Sequence, residues 1–351
     1  MLYIKLKYFA PFFLLFAWLI MASHPVYAEF KETEAEALVK AQQDMKNKIN
    51  RISMFHHAAR SSMTESLQIP MFKDYFNLPE SQSYRVDNLG QIELTQKQNK
   101  IRAQMEEWIL TLHSRFPIGE TCLIDNHGQE HLRVVGGQIK PPHMFSSEEH
   151  GAPFFTPTFD LKEGEVYISE PYFSEDSLFW VTAFTSPIYL EDKSIPGFYH
   201  FEVPLAAYSD LISFKEFSFA QFKGNELDTE EEGRYFIIDE NSLVIADSEL
   251  KINFNLPDER NHNINEDLPD YMPPEKLADY TTSFSRIFPD KGSAEIAKKM
   301  QTQREGTLYL NILGRDYLMI FQPVPDRPDW IIAHLDPIGG HGYWDLNIIK
   351  P

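Results

Sequence analysis

The stretch "YISEPYFSEDSLFWVTAFTSPIY", residues Tyr167–Tyr189, contains the pattern that decides the fold. Two runs rich in aromatic and β-branched residues flank an acidic tip at 174–177, which is typical of a β-hairpin. A surface strand alternates apolar with polar residues, but the second run of this hairpin is largely apolar on both faces. One of these faces carries Trp180, Thr182 and Phe184. The pattern therefore predicts a strand that is covered on one face and is either covered or open to a pocket on the other.

Two other hairpin patterns occupy matching places in successive parts of the chain. "LIDNHGQEHLRV" at 123–134 and "IIDENSLVIAD" at 237–247 both read as strand, turn and strand. A further strand fits "GFYHFEVPL" at 197–205, and three more fit the region 306–337. Because helical patterns also occur, the order of elements predicts two topologically similar α+β lobes.

A long helix is predicted ahead of the two lobes, over residues 29–66. This segment has no Pro or Gly, and its apolar residues recur at steps of three, four or seven: Leu38, Met45, Ile49, Ile52, Phe55, Ala59 and Met63. A helix cannot bury such a stripe alone, so it packs either on the lobes or on a second copy of the chain. A homodimer through helix 29–66 is therefore left open. Shorter helices are predicted at about 91–114 and 293–303.

The first 28 residues have the composition of a targeting segment. Two lysines precede an apolar run at Phe9–Ala22, and the small residues of Val26-Tyr27-Ala28 match a signal-peptidase site. The apolar run is short for a membrane span, which needs about 20 residues. This favours a cleaved signal peptide at 1–28 and a periplasmic protein. The alternative is a chain that residues 8–22 anchor in the inner membrane.

Composition excludes several classes of function. The chain has 52 acidic and 32 basic residues and a net charge of -20, so it would repel the phosphates of nucleic acids. Its single cysteine, Cys122, excludes an intrachain disulfide and suits a bacterial periplasm. It has no Gly-x-Ser-x-Gly, phosphate loop, cysteine cluster or His-Glu-x-x-His. We therefore expect no enzyme, no catalytic residues, no metal site and no cofactor.

In the order of these elements the sequence resembles the double Cache family, the tandem PAS-like sensors of extracytoplasmic space. The resemblance covers about residues 29–337 and begins with the long helix and the hairpin at 123–134. It continues with "WVTAFTSPIY" at 180–189, "GFYHFEVPL", and the closing strands "YLMIFQPVPDRPDWIIAHLDP" at 317–337.

The resemblance implies an α+β fold in which a long N-terminal helix is followed by two PAS-like antiparallel-sheet lobes. The membrane-distal lobe would comprise residues 67–215 and hold the ligand pocket. The membrane-proximal lobe would comprise residues 216–337, and a C-terminal tail would follow at 338–351.

The implied function is a periplasmic sensor that binds a small molecule without turnover. It would have no output domain of its own and would signal through a membrane-bound histidine kinase, diguanylate cyclase or chemoreceptor. One alternative is a ligand-free interaction or scaffold module that docks a membrane kinase or cyclase. A third hypothesis is an exported hydrolase on the same fold.

Five residues are predicted to line the pocket: Tyr172, Trp180, Thr182, His200 and Glu202. His200 and Glu202 share one face of their strand because residues two apart point the same way. If the row that contains Trp180 and Thr182 lies on the same sheet face, aromatic and polar groups converge as they do in small-molecule sites.

The charged candidates bear on the nature of the ligand. The resemblance places Glu202 at the acidic position that receives the ligand's ammonium group in amino-acid-binding members, which favours a cationic or amine-bearing ligand. The Arg-x-Trp-Tyr element that grips the ligand carboxylate in those members is absent, which disfavours amino acids. Arg133 is either a substitute anchor or a surface or salt-bridge residue.

The targeting segment generates the first prediction. We expect the mature protein to begin at Glu29 and to be recovered in the periplasmic fraction. N-terminal sequencing of the purified protein checks this. Recovery of an intact Met1 in the membrane fraction would establish the anchored alternative instead.

Overall fold

The computed structural model of the chain describes residues 34–174, 176–177, 179–213, 233–248, 292–312 and 314–337. The predicted signal peptide at 1–28 and the predicted tail at 338–351 lie outside these residues. Among the helices in the described ranges, none has both the length and the apolar composition for a membrane crossing.

The predicted long helix is present as α1, Glu34–Gln68. Its apolar stripe is buried from Met45 onward, and Ile52, Phe55, Ala59 and Met63 have no exposed surface. The stripe is covered by the chain itself, so the burial that the sequence requires is satisfied without a second copy.

Short elements connect α1 to the first sheet. Helices α2, Pro70–Phe76, and α3, Pro79–Gln82, each begin with a proline at the first helical turn, where no backbone hydrogen bond is lost. The two-residue strands β1, Arg85–Val86, and β2, Ile92–Glu93, pair with each other.

Helix α4, Gln96–His113, starts five residues later than predicted. Residues 92–93 belong to β2, and Thr95 caps the helix in a capping box with Gln98. The side chain of Thr95 accepts from the backbone N–H of Gln98, and the side chain of Gln98 accepts from the backbone N–H of Thr95. These two hydrogen bonds fix the start of the helix.

The first lobe is built on an antiparallel sheet in the order β5-β4-β3-β9-β8-β6, with β7 paired to β8. Its strands are β3, Glu120–Asp125; β4, Glu130–Val135; β5, Gln138–Ile139; β6, Tyr167–Ile168; β7, Tyr172–Ser174; β8, Phe179–Ile188; and β9, Gly197–Pro204. The short helix α5, Phe155–Phe159, precedes β6, and α6, Leu205–Ser213, follows β9 directly.

The second lobe is a five-stranded antiparallel sheet in the order β11-β10-β14-β13-β12. Its strands are β10, Arg234–Ile238; β11, Val244–Asp247; β12, Gly306–Ile312; β13, Arg315–Val324; and β14, Arg327–Pro337. Helix α7, Ser293–Gln303, buries Met300 in a core that includes Phe236, Phe321 and Ile331.

The two hairpins that the sequence singled out have the same turn. In each, an Asp Oδ1 accepts from the backbone N–H groups two and four residues later: Asp125 in the first hairpin and Asp239 in the second. The residue three positions after each Asp has positive φ, Gly128 at 89° and Ser242 at 62°. The predicted similarity of the lobes is therefore a similarity of turn chemistry.

The predicted fold class is confirmed: a long helix precedes two antiparallel-sheet lobes.

The buried stripe generates the second prediction. We expect Ile52→Asp to destabilise the protein by about 3–5 kcal/mol, because it places an uncompensated charge in an apolar core. Met54→Asp is the matched control, since Met54 lies on the same helix and is 63% exposed. Chemical denaturation checks both variants, and equal midpoints for the two would contradict the packing of α1.

Candidate ligand-binding site

The register of β8 against β9 decides which predicted site residues share a face. Ala183 lies opposite Glu202, whereas Thr182 lies opposite Val203. Residues that face each other across paired strands project to the same side of the sheet. Trp180 and Thr182 therefore lie on the opposite face from His200 and Glu202, which corrects the expectation that the two rows share a face.

Trp180 and Thr182 are packed on the helix side of the sheet. The Thr182 hydroxyl is 3.3 Å from the hydroxyl of Tyr208 in α6, and the Trp180 ring lies 5.8 Å from that of Phe173. On the same face, Phe184 contacts His56 of α1 at a ring distance of 6.0 Å. Helices thus cover this face of β8, and the opposite face of the sheet borders a cavity.

The cavity has a volume of about 110 Å³ and is bordered by Tyr172, His200 and Glu202, three of the predicted residues. Its lining is acidic, with six carboxylates: Glu120, Glu130, Glu148, Glu149, Asp176 and Glu202.

Three side chains from neighbouring strands form one wall of this cavity. The Tyr172 hydroxyl donates to Oε1 of Glu202 at 2.7 Å and lies 3.4 Å from Nε2 of His200. The His200 ring stacks on Phe154 with centroids 4.2 Å apart. Oε2 of Glu202 and Nδ1 of His200 are buried and have no hydrogen-bond partner among the residues that the structure describes. This wall therefore presents an unsatisfied acceptor and an unsatisfied ring nitrogen.

Arg133 is held by the acids around the cavity and is not among its lining residues. Its Nε is 2.7 Å from Oε1 of Glu120, its Nη1 is 3.6 Å from Oε2 of Glu130, and its Nη2 pairs with Asp176. Nη1 also donates to the carbonyl of Met144 at 2.7 Å. The structure thus shows Arg133 in buried ion pairs.

The electrostatics of the cavity follow from burial. Burial raises the pKa of Glu202 to about 7, although the nearby hydroxyls of Tyr172, Ser174 and Ser177 favour its charged form. Burial also raises the pKa of Glu130 to about 7, against the opposing effect of Arg133.

Two further groups complete the electrostatic environment. Burial and the charge of Glu202 raise the pKa of Glu120 well above its usual range. Burial lowers the pKa of His200 to about 3, so the imidazole is neutral. Arg133 is the cation that is paired to these buried acids. The raised pKa values of the acids mean that the cavity favours the binding of protons or of another positive charge.

Glu120, Cys122 and Glu130 were not predicted as site residues, although the sequence contains a signal for them. In "ETCLID" the acid and the thiol are two residues apart in a strand, so they share a face. Glu130 begins the partner strand of the same hairpin. An acid at such a position in an otherwise apolar strand is a cue to a buried polar site.

No family model and no curated protein matches the chain. It matches solved structures in fold. The sensory domain of the Campylobacter jejuni chemoreceptor Tlp3 (CcmL) with isoleucine bound has a TM-score of 0.52 and 12% identity, over 88% of this chain and 96% of that one. The extracellular domain of vpHK1S-Z8, described as a histidine kinase, has a TM-score of 0.51 and 13% identity, over 86% and 91%.

These matches confirm the predicted resemblance at the level of the fold: the chain has the fold of Cache sensory domains.

The buried acids generate a prediction about pH. The pKa of Glu202 is raised from 4.5 to about 7 in the folded state, so the folded chain binds more protons than the unfolded chain across this window. Its contribution therefore lowers the free energy of unfolding as pH rises from about 4.5 to about 7. We expect Glu202→Gln to lose less stability across this window than the wild type does.

Denaturant unfolding at pH 5 and pH 7.5 measures the effect. Glu148→Gln is the control, because Glu148 lines the same cavity but is exposed, and it should keep the wild-type pH dependence. An unchanged pH dependence in Glu202→Gln would show that Glu202 is ionised at neutral pH.

Proposed function

We propose that this chain is an extracytoplasmic sensor that binds a small positively charged ligand in the cavity of the first lobe. The observation that carries the proposal is the state of Glu202, which is 3% exposed and whose Oε2 has no hydrogen-bond partner within the part of the chain that the structure describes. A buried acceptor without a partner costs about 1–3 kcal/mol, and more when it is charged. A ligand that donates to Oε2 recovers that free energy.

The surrounding groups favour a cation over an anion. Tyr172 holds Oε1 of Glu202 and leaves Oε2 directed to the ligand. A charged donor at that position makes a hydrogen bond about twice as strong as a neutral one. An anionic ligand would face an excess of carboxylates, because Arg133 is already paired with Glu120 and Asp176.

The size of the cavity narrows the ligand class. A volume of about 110 Å³ lies below the roughly 300 Å³ at which pockets for drug-sized ligands begin. An amino acid such as the isoleucine bound to Tlp3 also needs a partner for its carboxylate, and Arg133 is engaged by acids of the chain itself. A small amine or another compact cation therefore fits better than an amino acid.

A physical connection leads from the cavity to the long helix. β9, which carries Glu202, passes directly into α6, whose Tyr208 contacts His56 of α1 at 3.0 Å. We propose that the bound state is transmitted along this connection to a membrane-bound partner such as a histidine kinase, diguanylate cyclase or chemoreceptor.

The proposal includes a location and a domain arrangement. Export by the signal peptide at 1–28 places the sensor in the periplasm, and retention of residues 8–22 would instead anchor it in the inner membrane. Residues 67–215 form the membrane-distal lobe with the cavity, and residues 216–337 form the membrane-proximal lobe.

A thermal-shift screen of the mature protein tests ligand binding. The panel pairs small amines and metal salts with carboxylic acids of similar size. A ligand at a hundred times its dissociation constant adds about 2.7 kcal/mol to the free energy of unfolding. We expect stabilisation by a cation and none by the acids. Absence of stabilisation by any cation would favour the ligand-free scaffold hypothesis.

Substitution of Glu202 gives the site-specific prediction. Glu202→Gln should weaken binding of the stabilising cation by roughly 10–100-fold, since a hydrogen bond to a charged group contributes about 1.5–3 kcal/mol. Glu148→Gln, the exposed acid of the same cavity, should bind within about threefold of wild type. Calorimetric titration measures both, and wild-type affinity in Glu202→Gln would contradict the proposal.

A further inference from the structure

We infer that the cation is a divalent transition-metal ion of the zinc type, bound between the side chains of Glu120, Cys122 and Glu130. This inference rests on the proposed function, because it names the chemical class of the cation that the first-lobe cavity binds. The three residues are called the acid–thiol cluster below.

The geometry of the acid–thiol cluster is close to that of a metal site. One ligand atom from each residue lies within 4.8 Å of the other two. Sγ of Cys122 is 3.2 Å from Oε1 of Glu120 and 2.9 Å from Oε1 of Glu130. Bonds of about 2.0–2.3 Å in a tetrahedral zinc site place ligand atoms roughly 3.5 Å apart. The cluster therefore needs only a small outward movement to receive an ion.

Independent evidence for a ligand comes from two other side chains that line the same cavity. Nδ1 of His200 and Oε2 of Glu202 have no hydrogen-bond partner in the described ranges of the chain, and the two residues are only 2% and 3% exposed. Imidazole and carboxylate are both zinc ligands. These atoms lie outside the cluster of three and border the same cavity.

The donor types select the kind of ion. A thiolate is a soft ligand that favours zinc and its neighbours, whereas calcium and magnesium prefer oxygen alone. The cavity also holds an all-oxygen set, Glu130, Glu149 and Asp176, whose oxygens lie within 4.8 Å of one another. Dependence of binding on the Cys122 thiol therefore distinguishes a transition metal from a hard cation.

Neighbouring groups orient the two carboxylates of the cluster. The backbone N–H of Ser146 donates to Oε2 of Glu130 at 2.7 Å, which turns Oε1 toward Cys122. Arg133 of β4 contacts the oxygen of Glu120 that faces Cys122, with Nε 2.7 Å from Oε1. Such outer contacts fix ligand orientation in metal sites.

The thiol is placed to act as a metal ligand, because Sγ of Cys122 lies between the carboxylates of Glu120 and Glu130. The charge of a divalent ion would stabilise the thiolate. The metal–sulfur bond forms as the thiol proton is lost to solvent.

Cobalt titration of the untagged, chelator-treated mature protein tests the inference. Because Cys122 is the only cysteine, a thiolate-to-cobalt charge-transfer band reports this residue alone. We expect the band to saturate at one equivalent and to disappear when zinc displaces cobalt.

Variants then locate the site. Cys122→Ser should abolish the band and weaken zinc binding by more than the roughly 10–100-fold that loss of an outer partner costs. Glu130→Gln, which keeps the thiol, should also weaken zinc binding, and melting without metal verifies that both variants fold. Glu107→Gln, at an exposed acid of α4 that does not line the cavity, is the control and should retain the band and the affinity.

Several outcomes would overturn the inference: no charge-transfer band, zinc binding that is unchanged in Cys122→Ser, or stabilisation by calcium or magnesium alone. If a small amine binds through Glu202 and metals do not, the inference fails while the proposed function stands. If neither amines nor metals bind, both fail.

Discussion

The buried imidazole of His56 is the contact on which the arrangement of the long helix and the lobes depends. Its Nδ1 is 2.6 Å from Oδ2 of Asp326, between the last two strands of the second sheet, and its Nε2 is 3.0 Å from the hydroxyl of Tyr208 in the first lobe. A carboxylate only accepts, so Nδ1 carries the proton and Nε2 accepts from Tyr208. Burial lowers the pKa of His56, although the Asp326 carboxylate opposes this, and the neutral ring satisfies both neighbours. One side chain of α1 thereby joins both lobes.

This contact explains the position of Thr182, which the sequence assigned to the ligand. Its hydroxyl lies 3.3 Å from Tyr208, so it extends the polar chain from β8 to Asp326. The cavity lies on the other face of the same sheet. Glu202 borders it and lies only three residues before the start of α6. Opposite faces of one sheet thus carry the residues that line the cavity and the contacts to α1. Coupling between them requires that α6 has two arrangements that the ligand biases.

The sequence was sufficient for features that depend on local periodicity. The spacing of Ile52, Phe55 and Ala59 predicted the buried face of α1, and the two Asp-based turns predicted the hairpins that define the lobes. The residues of β8 and β9 that lie on the same face of the sheet could not be predicted in this way. Their ladder closes at Ile188 and Gly197, and the loop between them includes Lys193 at φ 68°. A shift of one residue in the pairing register of these strands moves every side chain of a strand to the other face of the sheet. Composition does not specify the register.

The acids of the cavity could not be recognised from single positions because their effect is collective. They lie beside an apolar cluster that includes Ile124, Ala183 and Phe198, where hydrophobic residues would be the stable choice. Replacing buried charges by well-packed apolar groups is often neutral or stabilising, so the fold gains little from these carboxylates. Arg133 compensates only part of their charge, and Oε2 of Glu202 is buried without a hydrogen-bond partner among the described residues. The lobe therefore retains an electrostatic cost that a bound cation would remove. Binding would then strengthen the sheet that leads into α6, which links occupancy of the cavity to the His56 contact.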